Sequence, residues 1–281
     1  MTRTEVRTAD GHRLEASRYA PAGNARAVIL IAPAMGAAQR YYAPFASWLA
    51  AQGYLVITFD HRGIGASAPR SLRGFDASLT DWVTHDLAAV LDFAATEARG
   101  RDLVWLGHSL GAQVLPMVPN ASLVTRMVMV ATGNGYWRLH DLPMKLRAGL
   151  LWFGIAPLVV PLAGHFPGKA LGVVGDLPAG VIRQWRRWCL HPRYCVGVER
   201  ADAAYNAFIK PVTALSFTDD EFMSARNTDS LYALFRNAPI DAARIAPSDA
   251  GLPRIGHFGF FRKESEASLW PRILPALATP S

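Results

Sequence analysis

Apolar and polar positions along the chain fall into short buried runs separated by longer helical periods. Residues Thr4 to Tyr19 alternate in character around Asp10-Gly11, a dipeptide favoured in tight hairpin turns, and predict two short antiparallel strands. Ala27 to Ala32 is a continuous apolar run rich in Val and Ile, as in a strand covered on both faces, and it ends at Pro33-Ala34-Met35-Gly36. A helix is expected over Tyr42 to Gln52, closed by Gly53, and a second buried strand over Tyr54 to Phe59. The glycine-punctuated loop Asp60-His61-Arg62-Gly63-Ile64-Gly65-Ala66-Ser67 leads into a helical period over Asp81 to Ala98. Leu103 to Leu106, Arg126 to Ala131 and Val212 to Phe217 are further short strands, and a helix-compatible run follows the first of them.

Strands alternating with helices imply the α/β class: a mainly parallel central sheet wrapped by helices, with right-handed crossovers. The apolar, proline-rich and tryptophan-rich stretch from about Tyr136 to Tyr205 interrupts this rhythm and predicts an inserted helical cap or lid. The expected organisation is a core over 1–135, the cap over 136–208 and the rest of the core over 209–281. Within the cap, Ala148 to Gly164 is nearly long enough to cross a bilayer. Pro157 and Pro161, and its place between motifs of a soluble fold, favour a lid or buried wall without stable membrane insertion.

Composition narrows the function classes. With 51% hydrophobic and only 18% charged residues, the 281-residue chain has a large core to bury and lacks the signature of disorder. The formal charge of +7 is mostly scattered. Its densest stretch, Arg183, Arg186, Arg187 and Arg193 among Trp185, Trp188 and Tyr194, has the spacing of an amphipathic helix with tryptophans inward, so no nucleic-acid partner is expected. Cys189 and Cys195 are too few for a disulfide framework, and no histidine or cysteine cluster has zinc-ligand spacing. They read as ordinary thiols of a reducing compartment. The N-terminal residues hold no apolar core segment, so no cleaved secretory signal is expected and the cytoplasm is the default location.

The chemistry concentrates at Gly107-His108-Ser109-Leu110-Gly111, which follows a buried strand and precedes a helix-compatible run. That is the context of a nucleophile elbow, where Ser109 projects its Oγ from a strained turn and flanking glycines avoid collisions. A serine alcohol needs a base and a group that orients the base, and on this architecture the order is Ser, Asp or Glu, His. The strand Val212 to Phe217 ends in Thr218-Asp219-Asp220-Glu221-Phe222, at the edge where ligands of open α/β sheets bind. Asp220 is favoured as the acid, with Asp219 the alternative. Of the eight histidines, His257 alone follows the acid-bearing strand, in the glycine-flanked loop Ile255-Gly256-His257-Phe258-Gly259, and it is the expected base. His108 should turn away from the serine and be structural, and His12, His61, His85, His140, His165 and His191 read as surface or satisfied core residues. Oxyanion donors are expected at the backbone N–H of Leu110 and, after the first buried strand, of Met35.

These residues resemble the α/β-hydrolase superfamily, in particular its serine aminopeptidase-like and lysophospholipase-like branch of bacterial hydrolases. Asp60 to Ser67 looks like that superfamily's Asp-x-Arg-Gly-x-Gly-x-Ser loop, Gly107 to Gly111 like its elbow, and Gly256-His257 like its histidine loop. The segments Leu177 to Gly180 and Trp185 to Cys189 look like the cap of a bacterial subgroup. Pro33-Ala34 stands where the family usually has His-Gly, which keeps a backbone donor and removes a familiar side chain. The resemblance implies hydrolysis of a carboxylic ester or thioester; the apolar cap, with Trp152, Phe153, Phe166 and Trp185, predicts an apolar small-molecule acyl substrate, and no cofactor or metal is expected. Aminopeptidase, amidase or acyltransferase chemistry on the same triad, or a non-catalytic binding protein, are the alternatives. An aminopeptidase would need acidic residues in the cap to hold a substrate ammonium, and this cap is basic. Oligomeric state is left open.

Overall fold

The computed structural model of the protein describes residues 1–278. Strands β1 (Thr2–Arg7) and β2 (Arg13–Tyr19) form the expected N-terminal hairpin, whose turn is closed by the Gly11 N–H donating to Thr8 O at 2.9 Å. They lead into β3 (Val28–Ala32), β4 (Leu55–Phe59), β5 (Leu103–His108) and β6 (Arg126–Val130), in which every residue is buried. That is the cause of their unbroken apolar runs, because helices cover both sides of the sheet. The short strands β7 (His165–Phe166) and β8 (Leu177–Pro178) pair with each other away from the main sheet, which is completed by β9 (Val212–Phe217) and β10 (Ile240–Ile245).

The eight-stranded sheet has the order β1-β2-β4-β3-β5-β6-β9-β10 and is parallel from β4 onward. Apolar clusters lie on its two faces, one around Trp82, Trp105 and Trp188, the other around Phe45, Phe260 and Trp270. The register pairs Ala32 with Gly107, His108 with Val130, and Val130 with Leu215. The loops after β3, β5 and β9 therefore leave the sheet along one edge, and they carry Met35, Ser109 and Asp220.

Three elements differ from the sequence reading. Strand β10 was not anticipated, because an edge strand with one neighbour keeps four of its six residues exposed and shows no apolar alternation. The helix after Ser109 is a single turn, Leu110–Gln113, since Pro116 has no N–H with which to extend it. The prolines of the insertion do not break its helix. Leu142–Ala163 runs for 22 residues through Pro157 and Pro161, with a π-helical stretch at Leu151–Ile155 that loosens the turn preceding the first proline.

Between β6 and β9 the chain packs this long helix against a second, Ala179–Leu190. The insertion is tied to the core by Gln184, whose Oε1 accepts from Thr80 N at 3.1 Å and whose Nε2 donates to Thr80 Oγ1 at 2.8 Å. Trp188 is buried and Trp185 half-buried, while Arg183 and Arg187 point outward, as the amphipathic spacing predicts. The backbones at Gly175 and Gly36 meet closely enough that a Cβ on Gly36 would lie 3.0 Å from Gly175 N.

Candidate active site

Ser109 occupies a backbone conformation, φ 51° and ψ −114°, that non-glycine residues rarely adopt. The turn is held because Ser109 N donates to Val130 O at 3.0 Å, and Thr132 Oγ1 to Ser109 O at 3.0 Å. Glycines flank it for lack of space: a Cβ on Gly107 would lie 2.5 Å from Ala112 N, and one on Gly111 would overlap the Ala32 carbonyl. The consequence is a buried serine at the floor of a cavity of about 380 Å³ that also exposes His257, Leu110 and Met35.

His257 is fixed by all three acidic residues of the loop after β9. Its Nδ1–H donates to Asp220, 2.8 Å from Oδ2 and 3.1 Å from Oδ1. Asp220 is itself oriented by the N–H groups of Phe222 and Met223 at 2.8 and 2.9 Å, and its side chain is 2% exposed. Asp219 accepts from Ile255 N and Gly256 N at 2.8 and 3.0 Å, and Glu221 from His257 N at 3.1 Å. Thus Asp220 holds the imidazole, while its two neighbours hold the backbone that carries it. Nε2 is left as the free ring nitrogen; among the described residues neither it nor Ser109 Oγ has a hydrogen-bond partner.

A second network positions these loops from beneath. Ala34 N donates to Tyr42 Oη at 2.9 Å, Tyr42 O–H faces His108 Nδ1 at 2.8 Å, and His108 Nε2 faces His257 O at 3.0 Å. Because a carbonyl accepts, His108 carries its proton on Nε2 and takes the tyrosine hydroxyl at Nδ1. Burial, and then the neighbouring His257, push the His108 pKa well below its ordinary value, so the ring is neutral. Burial likewise raises the Tyr42 phenol. Since Ala34 N–H is used by Tyr42, the next N–H, that of Met35, is a free donor of this loop; neither it nor Leu110 N–H has an acceptor among the described residues. His108 is therefore a positioning residue, and Tyr42, which carries no motif, was not singled out in the sequence.

The cavity wall is mainly apolar, with Leu151, Trp152, Ile155, Val174, Phe222 and Phe258 prominent. Among its polar members are Gln113, His140 and Arg147. His140 corrects the expectation of a surface or satisfied core histidine: it is buried at the cavity with Nδ1 unpartnered among the described residues, and burial lowers its pKa. Gln113 Oε1 is unpartnered as well. Chain order had set His140 aside as a base, and nothing in the sequence marked it as a cavity residue. Both buried cysteines are free; Cys189 reaches the cavity, and burial pushes the Cys195 thiol up to about 12. Among the described residues no group of three or more His, Cys, Asp or Glu is placed to hold a metal ion.

The loop Asp60–Ser67 does not line this cavity. Arg62, 3% exposed, donates to Asp86 Oδ1 at 2.7 Å and to Asp10 at 2.5 and 2.9 Å, and hydrogen bonding to it lowers the Asp10 pKa. Asp60 accepts from Gln39 N and Ala66 N, and Ser67 Oγ bridges Asp60 O and Glu15 N. His61 stacks on Trp82 at 4.4 Å. The loop is a buried tie between the N-terminal hairpin, β4 and the helix that follows.

The parallel sheet with its antiparallel N-terminal hairpin, the strained strand-to-helix serine and the late histidine loop together define the α/β-hydrolase fold. Comparison with known proteins agrees: residues 23–152 match the family described as Serine aminopeptidase, S33. Among solved structures, a soluble variant of monoglyceride lipase from Saccharomyces cerevisiae superposes with a TM-score of 0.69 at 16% identity, covering 100% of this chain and 97% of that one. Est1E from Butyrivibrio proteoclasticus, solved with ferulic acid, gives 0.66 at 16% identity, covering 98% of this chain and 100% of that one. Alpha/beta hydrolase domain-containing protein 10 from mouse gives 0.60 at 15%, covering 99% and 98%. The chain has the α/β-hydrolase fold, with lipases and esterases among its structural neighbours.

Proposed function

We propose that the protein is a serine hydrolase that cleaves a carboxylic ester or thioester with an apolar acyl chain. The carrying observation is the anchoring of His257 Nδ1 on Asp220, which leaves Nε2 as the proton acceptor in a cavity shared with Ser109. Ser109 Oγ attacks the acyl carbon and its proton passes to His257 Nε2, while Asp220 stabilises the imidazolium. The oxyanion is met by the N–H groups of Leu110 and Met35. Collapse expels the alcohol or thiol, which takes the proton from His257. Water then attacks the acyl-enzyme with His257 again as base, releasing the acid and restoring Ser109. The Oγ–Nε2 hydrogen bond is the kind of contact that closes when substrate fills the site.

The apolar wall suits the acyl chain, while Gln113 Oε1 and His140 offer hydrogen-bonding atoms to a short polar part of the substrate. Among the described residues no Asp or Glu lines the cavity, and Arg147 does, so a substrate ammonium has no counter-charge from them and the aminopeptidase reading is disfavoured. A fluorophosphonate probe, with p-nitrophenyl esters of graded acyl length, tests the assignment. Wild type should label stoichiometrically and turn over the medium-chain esters. Ser109→Ala should abolish labelling, and Asp220→Asn should lower kcat by about 10⁴-fold through the wrong imidazole tautomer. Folded wild type that neither labels nor turns over any ester would replace this reading with that of a binding protein.

A further inference from the structure

The helix Leu142–Ala163 has two apolar faces. Ala148, Leu151, Trp152, Ala156 and Val160 face the protein, while Leu142, Leu146, Leu150, Phe153, Leu158 and Leu162 are between 58% and 78% exposed. These six are the majority of the ten large hydrophobic residues exposed among the described residues, and they form one stripe at helical spacing. Scattered exposed leucines need no explanation, whereas a contiguous outward stripe marks a surface with a partner.

The charges around the stripe say which partner. From Leu142 to Val198 the sole acidic residue is Asp176, against seven Lys and Arg. Lys169 pairs with Asp176 and Arg193 with Asp202, but Lys145, Arg147, Arg183, Arg186 and Arg187 form no ion pair among the described residues. The last three line a groove of about 340 Å³ beside Pro157 and Pro161, in the seam between this helix and Ala179–Leu190. Arg186 is fixed there by donating to Trp152 O at 2.6 Å, with its guanidinium 6.0 Å from the Phe153 ring centroid.

We propose that this face docks the protein peripherally on an anionic lipid surface, the leucines entering the acyl boundary and the arginines meeting headgroup phosphates. A second copy of the chain would bring the same unpaired cations together, which disfavours self-association. By length and apolarity the helix could cross a bilayer, but its inner face is packed against the fold and would have to leave it, so it lies on the surface rather than spanning. Leu150 and Arg147 border the cavity as well as the exposed face, so the docked protein would present its cavity to the lipid.

Vesicle flotation tests this without any substrate, so it stands or falls independently of the hydrolase assignment. Wild type should float with phosphatidylcholine vesicles containing phosphatidylglycerol and be released by salt, and should bind pure phosphatidylcholine far more weakly. A Leu146→Asp/Leu158→Asp/Leu162→Asp variant should lose binding by at least about tenfold, and Arg183→Gln/Arg187→Gln should weaken anionic binding by about 25-fold. Both variants should melt like wild type. Folded wild type that stays with the soluble fraction, or binding that survives the leucine substitutions, would overturn the proposal. A concentration-dependent dimer that those substitutions dissolve, without vesicle binding, would assign the face to a second copy instead.

Discussion

The loop Asp60–Ser67 and the helix Leu142–Ala163 dispose of their side chains in opposite ways. In the loop, rich in glycine and charge, three polar side chains are spent on the protein: Arg62 on Asp86 and Asp10, Asp60 on backbone N–H groups, Ser67 on Glu15 N and Asp60 O. The helix reads as a lid or buried wall, yet it turns six large apolar side chains outward and, among the described residues, its neighbouring cations have no acidic partners. Residue type alone does not tell a site from a scaffold; what tells them apart is whether the groups are satisfied within the chain.

The contrast is most severely tested at Arg62. Arg62→Ala strands the fully buried Asp86 carboxylate and should cost about 3–5 kcal/mol of stability, read as a shifted denaturant midpoint. A near-neutral effect would mean that the loop is not the tie it looks like. Acid gives the next test, through the other buried polar network. The pKa values of His108 and His140 lie below the unfolded value of 6.5, so the unfolded chain binds more protons as pH falls. Stability from these residues is fully present above about pH 6.5 and declines below it, by at most about 1.4 kcal/mol per pH unit for each. Denaturation over a pH series should show His108→Gln with a shallower acid slope than wild type, though not a flat one, because His140 acts with the same sign. The smallest effect is expected on the helix: Leu158→Asp/Leu162→Asp should leave stability within about 0.5 kcal/mol of wild type, since both side chains are already exposed. A large loss there would show that the outward leucines serve the fold.

The central strands and the Ser109 elbow were legible because their signals are local: unbroken apolar runs, and glycines that a tight turn demands. His257 is singled out by its place in the chain, and the structure brings it to the cavity that Ser109 lines. Asp220 is favoured as the acid from sequence, but the tasks of Asp219 and Glu221 could not be assigned there, because they depend on which way adjacent side chains point once β9 and the histidine loop meet. Tyr42 and His140 acquire their positions only through packing across distant segments. Strand β10 was invisible because an edge strand need not bury its side chains, and the outward stripe was hidden because an apolar run over Ala148 to Gly164 does not say how much of it faces the core.

The meeting of Gly36 with Gly175 has a historical consequence. One belongs to the loop that carries Met35, the other to the insertion, and the contact is backbone against backbone with no room for a side chain. A segment between β6 and β9 that merely lay against a finished fold could drift in length and sequence independently of it. Here a change on one side forces a compensating change on the other, so the two segments should evolve as a matched pair, and a β6–β9 segment transplanted from another lineage should fit only if it brings its own version of the loop.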